Sequence, residues 1–165
     1  MFVPFNTLSD NARLWVYQSP RVLTESERGE ILSASNVFIN QWTAHGNNLQ
    51  ASLTIKYDQF LLLAVDEEIH NATGCSIDSS VAFIKTLGQQ LGVDLFDRTQ
   101  IAYTLEESIL IESLNDFKNK VKSGTIPETA RIFNNAISQK NQLENEWLVP
   151  LSNSWVGKFI PSATT

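Results

Sequence analysis

Cysteine, methionine, histidine and charge are all scarce in this chain, and each scarcity closes off a class of protein. One cysteine in 165 residues forms no internal disulfide, so nothing points to an oxidising compartment. With only two histidines, no pair stands four apart to start a metal motif, and no metal or other cofactor is expected. No apolar run approaches the eighteen or so residues of a membrane span. The opening MFVPFNTLSD lacks the basic start and long apolar core of a secretory signal. The expectation is a cytoplasmic protein without a membrane partner, in which the sequon Asn71-Ala72-Thr73 has no use. Charged residues make up 18% of the chain against the usual quarter or so, leaving Asn, Gln, Ser and Thr in many polar positions. Eighteen acidic and twelve basic residues give a net charge of −6, which opposes attraction to phosphate backbones and sets nucleic acid aside as a partner.

What the chain does have is apolar patterning. A chain of this length reads as a single domain, 1–165, able to bury about 70% of its unfolded surface unaided. Residues 1–11 read as an irregular lead-in pinned by Phe2 or Phe5, 13–114 as a sheet-and-helix core and 115–165 as a C-terminal extension. Arg13 to Gln18 suits a strand. Thr24 with Glu27 three residues on is a capping-box pattern that opens a helix of about 24–43, closed near Gly46. Leu49 to Tyr57 alternates apolar and polar residues strictly, a strand with one wet face. Asp58-Gln59 turns the chain into Phe60 to Val65, a run without a polar break that reads as a buried central strand. A helix from Ser76 or Asp78 ends at Gly92. Strands follow at Gln100–Leu105 and Ile109–Leu114, joined across Glu106-Glu107-Ser108. Asn115–Lys122 reads as a short helix, Ala130–Phe133 as a short strand and Ser138–Trp147 as a helix. Trp15 and Trp42 fall in patterned elements and read as core, whereas Trp147 and Trp155 flank Pro150, where they could clamp the tail.

The order strand, helix, strand, strand, helix, strand over 13–105 is the split arrangement of an α+β, ferredoxin-like βαββαβ antiparallel sheet with helices on one face, extended by a hairpin strand and C-terminal helices. The alternative is a cone-like α+β fold in which a curved sheet wraps a helix around a pocket.

In the ferredoxin-like order, the loop after the first helix and the loop after the third strand share one end of the sheet. The first carries His45, Asn47 and Asn48, the second Asp66, Glu67, His70, Cys75 and Ser76. Cys75, His45, His70 and Asp66 are the candidate catalytic residues: a thiol before a helix N-terminus with a histidine as base is a nucleophile-and-base pattern. Against it stands an inert, buried cysteine and a His45 that caps the first helix. Asn47, Asn48, Ser76 and Glu67 are the candidate ligand-binding residues. His45, His70, Asp66 and Cys75 are also metal-ligand types, but no short spacing ties them together.

The segments LWVYQS, QWTAHGN, FLLLAVDEE, GCSIDSSVAFIK and LFDR, with the tail of Trp147, Pro150 and Trp155, cover most of the chain. As a set they resemble a family of small uncharacterised bacterial proteins carried under the label ABC transporter ATPase. The label implies that FLLLAVDEE is a Walker B strand whose Asp66-Glu67 holds magnesium. The rest of the chain lacks the matching parts. None of the seven glycines begins G-x-x-x-x-G-K-[ST], and Lys122-Ser123 follows Val121 where that motif needs glycine.

Without a complete catalytic motif beside strong fold patterning, the expected function is binding of a small molecule or another protein, with the open sheet face leaving room for a homodimer. The alternative is a thiol-dependent enzyme or redox sensor at Cys75, with His45 or His70 as its base.

Overall fold

The computed structural model describes residues 1–162 of a mixed α+β chain with three helices and antiparallel sheets. The chain forms two compact units, Met1–Phe96 with Ala136–Asn141, and Asp97–Asn135 with the segment from Gln142 onward. The stretch 13–114 is therefore divided between the two at Asp97. Among the described residues no helix is long and apolar enough to cross a membrane.

The first unit runs β1 (Arg13–Gln18), α1 (Glu25–Gln41), a two-stranded ribbon of β2 (Thr43–Ala44) and β3 (Asn47–Asn48), β4 (Gln50–Lys56), β5 (Phe60–Asp66) and α2 (Gly74–Leu91). Its sheet has the order β1-β5-β4, antiparallel throughout, so β5 is inserted between the strands on either side of α1. The apolar run explains that place. Leu61, Leu63 and Val65 join the core beneath the helices, and the alternate residues Phe60, Leu62 and Ala64 are equally buried. Each fully buried side chain of this size is worth about 1.5–3 kcal/mol, so an edge position with one wet face would forfeit half of the run's stabilisation.

Both long helices start on reciprocal caps. Thr24 Oγ1 accepts from the Glu27 N–H while Glu27 Oε1 accepts from the Thr24 N–H, and Thr73 and Ser76 do the same at α2. Ile31, Ser35 and Ile39 of α1 and Ile84 and Leu87 of α2 face the core. At the end of α2, Gly92 takes φ +69° and the Val93 N–H bonds the Gly88 carbonyl at 2.9 Å, a Schellman closure.

The β4–β5 hairpin turns without glycine. Tyr57 and Asp58 both take positive φ, 54° and 55°, a left-handed pair that L-residues adopt at a cost of about 1–2 kcal/mol each. Tertiary bonds hold it: the Asp58 carbonyl accepts from the Leu23 N–H at 2.8 Å, and the Gln59 carbonyl from the Ser19 N–H at 2.8 Å. The buried Gln59 amide returns a bond to the Ser19 carbonyl.

Three local expectations change. Gln100–Leu105 does not add to this sheet; the place beside β1 is taken by Ala136–Asn141, through an antiparallel bridge of Gln139 to Arg13 and a 2.9 Å bond from the Leu14 N–H to the Ser138 carbonyl. Both edges of Gln100–Leu105 are taken within its own unit, by Ser108–Ser113 and by Arg131–Phe133. Ser138–Trp147 is not a helix beyond a single turn of 3₁₀ at Lys140–Gln142. Its start is held extended along β1 and its end enters a strand. His45 does not cap α1. Trp42 closes that helix, and His45 with Gly46 forms the positive-φ turn, 51° and 79°, of the β2–β3 ribbon.

The second unit contains β6 (Gln100–Leu105), β7 (Ser108–Ser113), α3 (Leu114–Lys122), β8 (Arg131–Phe133) and β9 (Leu148–Pro150), with a sheet of order β7-β6-β8-β9. Tyr103, Phe117, Val121, Ile126, Ile132, Leu151 and Val156 form its core. Trp147 is buried against Phe133 and donates to Asn135 Oδ1 at 2.9 Å, and the half-exposed Trp155 rests on Phe117 with ring centroids 6.3 Å apart. Further along, Lys118, Lys122 and Lys158 place their ammonium groups 4.8, 4.8 and 5.1 Å from the centroid of the Phe159 ring. An exposed cation–π contact contributes about 0.5–1 kcal/mol. Two like charges roughly 7 Å apart in water repel by about 0.6 kcal/mol, so the mutual repulsion of three offsets much of what the ring supplies.

Candidate functional site

The end of the β4–β5 pair sets the site. Gln50 stands directly across from Asp66 in the sheet register, at the point where β5 leaves the sheet and the loop to α2 begins. Met1, Asn48, Gln50, Asp66, Glu68, Ile69 and His70 line a cleft of about 300 Å³ there. Phe2 bridges Ala51 in parallel alongside β4, with the Val3 N–H bonded to the Ala51 carbonyl at 3.0 Å, which brings the lead-in to the same place.

The acidic pair Asp66-Glu67 divides its work. Asp66 Oδ1 accepts from the Glu68 N–H at 3.0 Å, an Asx turn that aims the loop. Its Oδ2 accepts from the Ser9 N–H at 3.4 Å. Glu67 serves the other side: it accepts from the Ala72 N–H at 3.1 Å and lies 3.6 Å from the Arg13 guanidinium, which in turn sits 4.9 Å over the Trp15 ring. Asp66 and Glu68 line the cleft and Glu67 does not.

Of the eight residues singled out from the sequence, three line this cleft: Asn48, Asp66 and His70. His70 is exposed, as are His45 and Asn47 on the β2–β3 ribbon. Cys75 lies in the first turn of α2 and is exposed rather than buried, so the expectation of a space-filling core cysteine is corrected. Neither His45 nor Cys75 lines the cleft. Ser76 is buried in the α2 cap, and its carbonyl accepts from the Trp42 indole at 2.8 Å. Glu106 and Glu107 form the β6–β7 turn in the second unit. No group of three or more His, Cys, Asp or Glu among the described residues is arranged to hold a metal ion.

Met1, Gln50, Glu68 and Ile69 are the lining residues that sequence reasoning passed over. Gln50 carried a signal, because it is the first polar residue of an alternating strand whose partner ends in Asp66. The expected wet face is not observed, since Ser52 on that face is buried. Ile69 carried another. An isoleucine between Glu68 and His70 in a loop has no core to join, and 74% of its surface is exposed.

The cleft thus presents two carboxylates, one imidazole, two side-chain amides and the exposed apolar side chains of Met1 and Ile69, while the Met1 ammonium is spent on the Ile39 and Leu49 carbonyls. The neighbouring Arg13 is already paired with Glu67. Such a set suits a ligand that carries positive charge and donates hydrogen bonds. Comparison of the chain with protein-family models, with curated proteins and with solved structures yields no match.

Proposed function

We propose that the first unit is a non-catalytic binding unit whose cleft takes a small amine-bearing ligand. The observation that carries this reading is that Asp66 and Glu68 line the same cleft as Asn48, Gln50 and His70. The volume, about 300 Å³, sits at the small end of the usual range of ligand pockets, so a compact amine fits it better than a large cofactor. Ile69 supplies an apolar contact for the carbon skeleton. The test is a titration of the isotope-labelled protein with a panel of primary amines and diamines, read in the amide spectrum. Saturable shifts at residues 48–50 and 66–70 support the reading; unmoved resonances there across the panel contradict it.

The ATPase label draws no support from these residues. Of the two carboxylates that a Walker B reading would spend on magnesium, only Asp66 lines the cleft, while Glu67 is turned to the Ala72 N–H and Arg13. In fold, the β1–α1–β4–β5–α2 order with β5 inserted supports kinship with ferredoxin-like units, in which Ala136–Asn141 takes the fourth strand's place.

A second reading, thiol chemistry at Cys75, draws on one observation: the thiol is exposed in the first turn of an 18-residue helix. Alkylation by iodoacetamide at neutral pH faster than that of free cysteine in the same solution supports it. A rate equal to free cysteine counts against it.

A further inference from the structure

In the second unit, where the tail lies on α3, three of the chain's twelve basic residues gather around a single aromatic ring. The ammonium nitrogens of Lys118, Lys122 and Lys158 all lie within 5.1 Å of the Phe159 centroid. A ring has two faces, so at least two of the three share one. They come from separate elements. Lys118 and Lys122 are one turn apart on α3, and Lys158 belongs to the tail turn at Gly157–Phe159. None of them takes part in an ion pair among the described residues; the ion pairs there belong to Arg13, Arg21, Arg28 and Lys120. In a chain of net charge −6 this is a local reversal of sign, not a share of a general field. The ring holds the ammoniums together against their own repulsion, with no carboxylate paired to them among the described residues.

We propose that this patch binds a phosphate-bearing small molecule. Lysine ammoniums are compact charges with three donors each, suited to the several oxygens of a phosphoryl group. Held by Phe159 before any ligand arrives, they lose less freedom on binding than free surface lysines would. Trp155, 46% exposed and resting on Phe117, the residue next to Lys118, offers a flat surface for the organic part of the ligand.

The test uses the full chain uniformly labelled with nitrogen-15, so that backbone amides and tryptophan indoles are both read, titrated with inorganic phosphate, AMP and adenosine up to about 10 mM, the range of weak anion contacts. Trp155→Phe assigns the indole signal. The expected result is that phosphate and AMP shift the amides of 118–122 and 155–159, that AMP also shifts the Trp155 indole, and that adenosine shifts neither. Replacing Lys118, Lys122 and Lys158 together by Gln should weaken AMP binding by about tenfold, the sum of three exposed charge contacts. Lys158→Gln alone, at an exposed tail position, should weaken it by about twofold and guards against a triple variant that fails to fold. Unmoved resonances with phosphate and AMP, or equal binding by the Lys158→Gln and triple variants and the wild type, would overturn the proposal. A single-stranded oligonucleotide or an acidic peptide that moves these signals where AMP and phosphate do not would overturn the small-molecule assignment.

Discussion

Arg21 grips Glu27 with two parallel charge-assisted hydrogen bonds, 2.8 and 2.7 Å, and the same guanidinium donates to the Leu91 carbonyl at 3.0 Å. Glu27 is the partner of Thr24 in the α1 capping box and Leu91 is the last residue of α2, so one side chain joins the start of one helix to the end of the other. The Arg21 bond, with the Thr24 N–H behind it, draws the Glu27 carboxyl down from 4.5 to about 2. A carboxyl held low in the folded chain stabilises it above its unfolded pKa, and the contribution fades as pH falls from about 4.5 toward about 2. Melting temperatures measured across that window should fall for the wild type and fall less for Arg21→Met, which should also start lower. Parallel curves for the two proteins would refute the coupling.

Tyr103 in the second unit titrates at the other end of the scale. Burial, then its 3.1 Å bond to Glu112 Oε1, pushes its hydroxyl up to about 12. A group raised in this way is neutral and harmless at low pH. Its contribution is lost as pH rises from the ordinary value of 10 toward about 12, where the unfolded chain ionises first. Stability should therefore drop over that interval in the wild type. Tyr103→Phe should flatten the drop and cost about 0.5–1.5 kcal/mol at neutral pH, as measured by urea unfolding.

Two helix glycines should respond to alanine with opposite signs. In α1, a Cβ at Gly29 meets nothing within 4 Å, so Gly29→Ala should gain close to the intrinsic preference of about 0.8–1 kcal/mol. In α2, a Cβ at Gly88 would stand 2.8 Å from the Val93 carbonyl oxygen, which belongs to the chain just after the αL turn at Gly92 and is not free to withdraw. Overpacking of this kind costs about 1–3 kcal/mol and outweighs the helix preference. Gly88→Ala should lower the melting temperature and Gly29→Ala raise it.

Much of the first unit was legible in its residues. Thr24 and Glu27 announced the α1 cap, the alternation from Leu49 and the unbroken run from Phe60 announced β4 and β5, and Gly92 announced the end of α2. The unreadable parts are those decided by partners distant in sequence. Nothing local in Gln100–Leu105 says which sheet it joins, and Leu148–Pro150 becomes a strand only because Phe133 pairs with Leu148. The turn at Tyr57-Asp58 lacks the residues that usually mark its type, since bonds from Leu23 and Ser19 hold it in their stead. At the site, Asp66, His70 and Asn48 were visible as polar loop residues that topology could gather. That Glu68 and not Glu67 faces the cleft depends on the local Asx turn at Asp66 and on the ion pair of Glu67 with Arg13, of which only the second is a tertiary contact.

The contrast between Glu68 and Glu67 gives the most direct measurement. A primary amine that shifts the cleft resonances should be titrated by calorimetry into the wild type, Glu68→Gln and Glu67→Gln. Loss of one charge-assisted contact of about 1.5–3 kcal/mol predicts a roughly tenfold or greater loss of affinity in Glu68→Gln. Affinity should be nearly unchanged in Glu67→Gln, where the change falls on the Arg13 side of the loop. Equal affinities for wild type and Glu68→Gln, or a larger loss in Glu67→Gln, would contradict the assignment of the cleft.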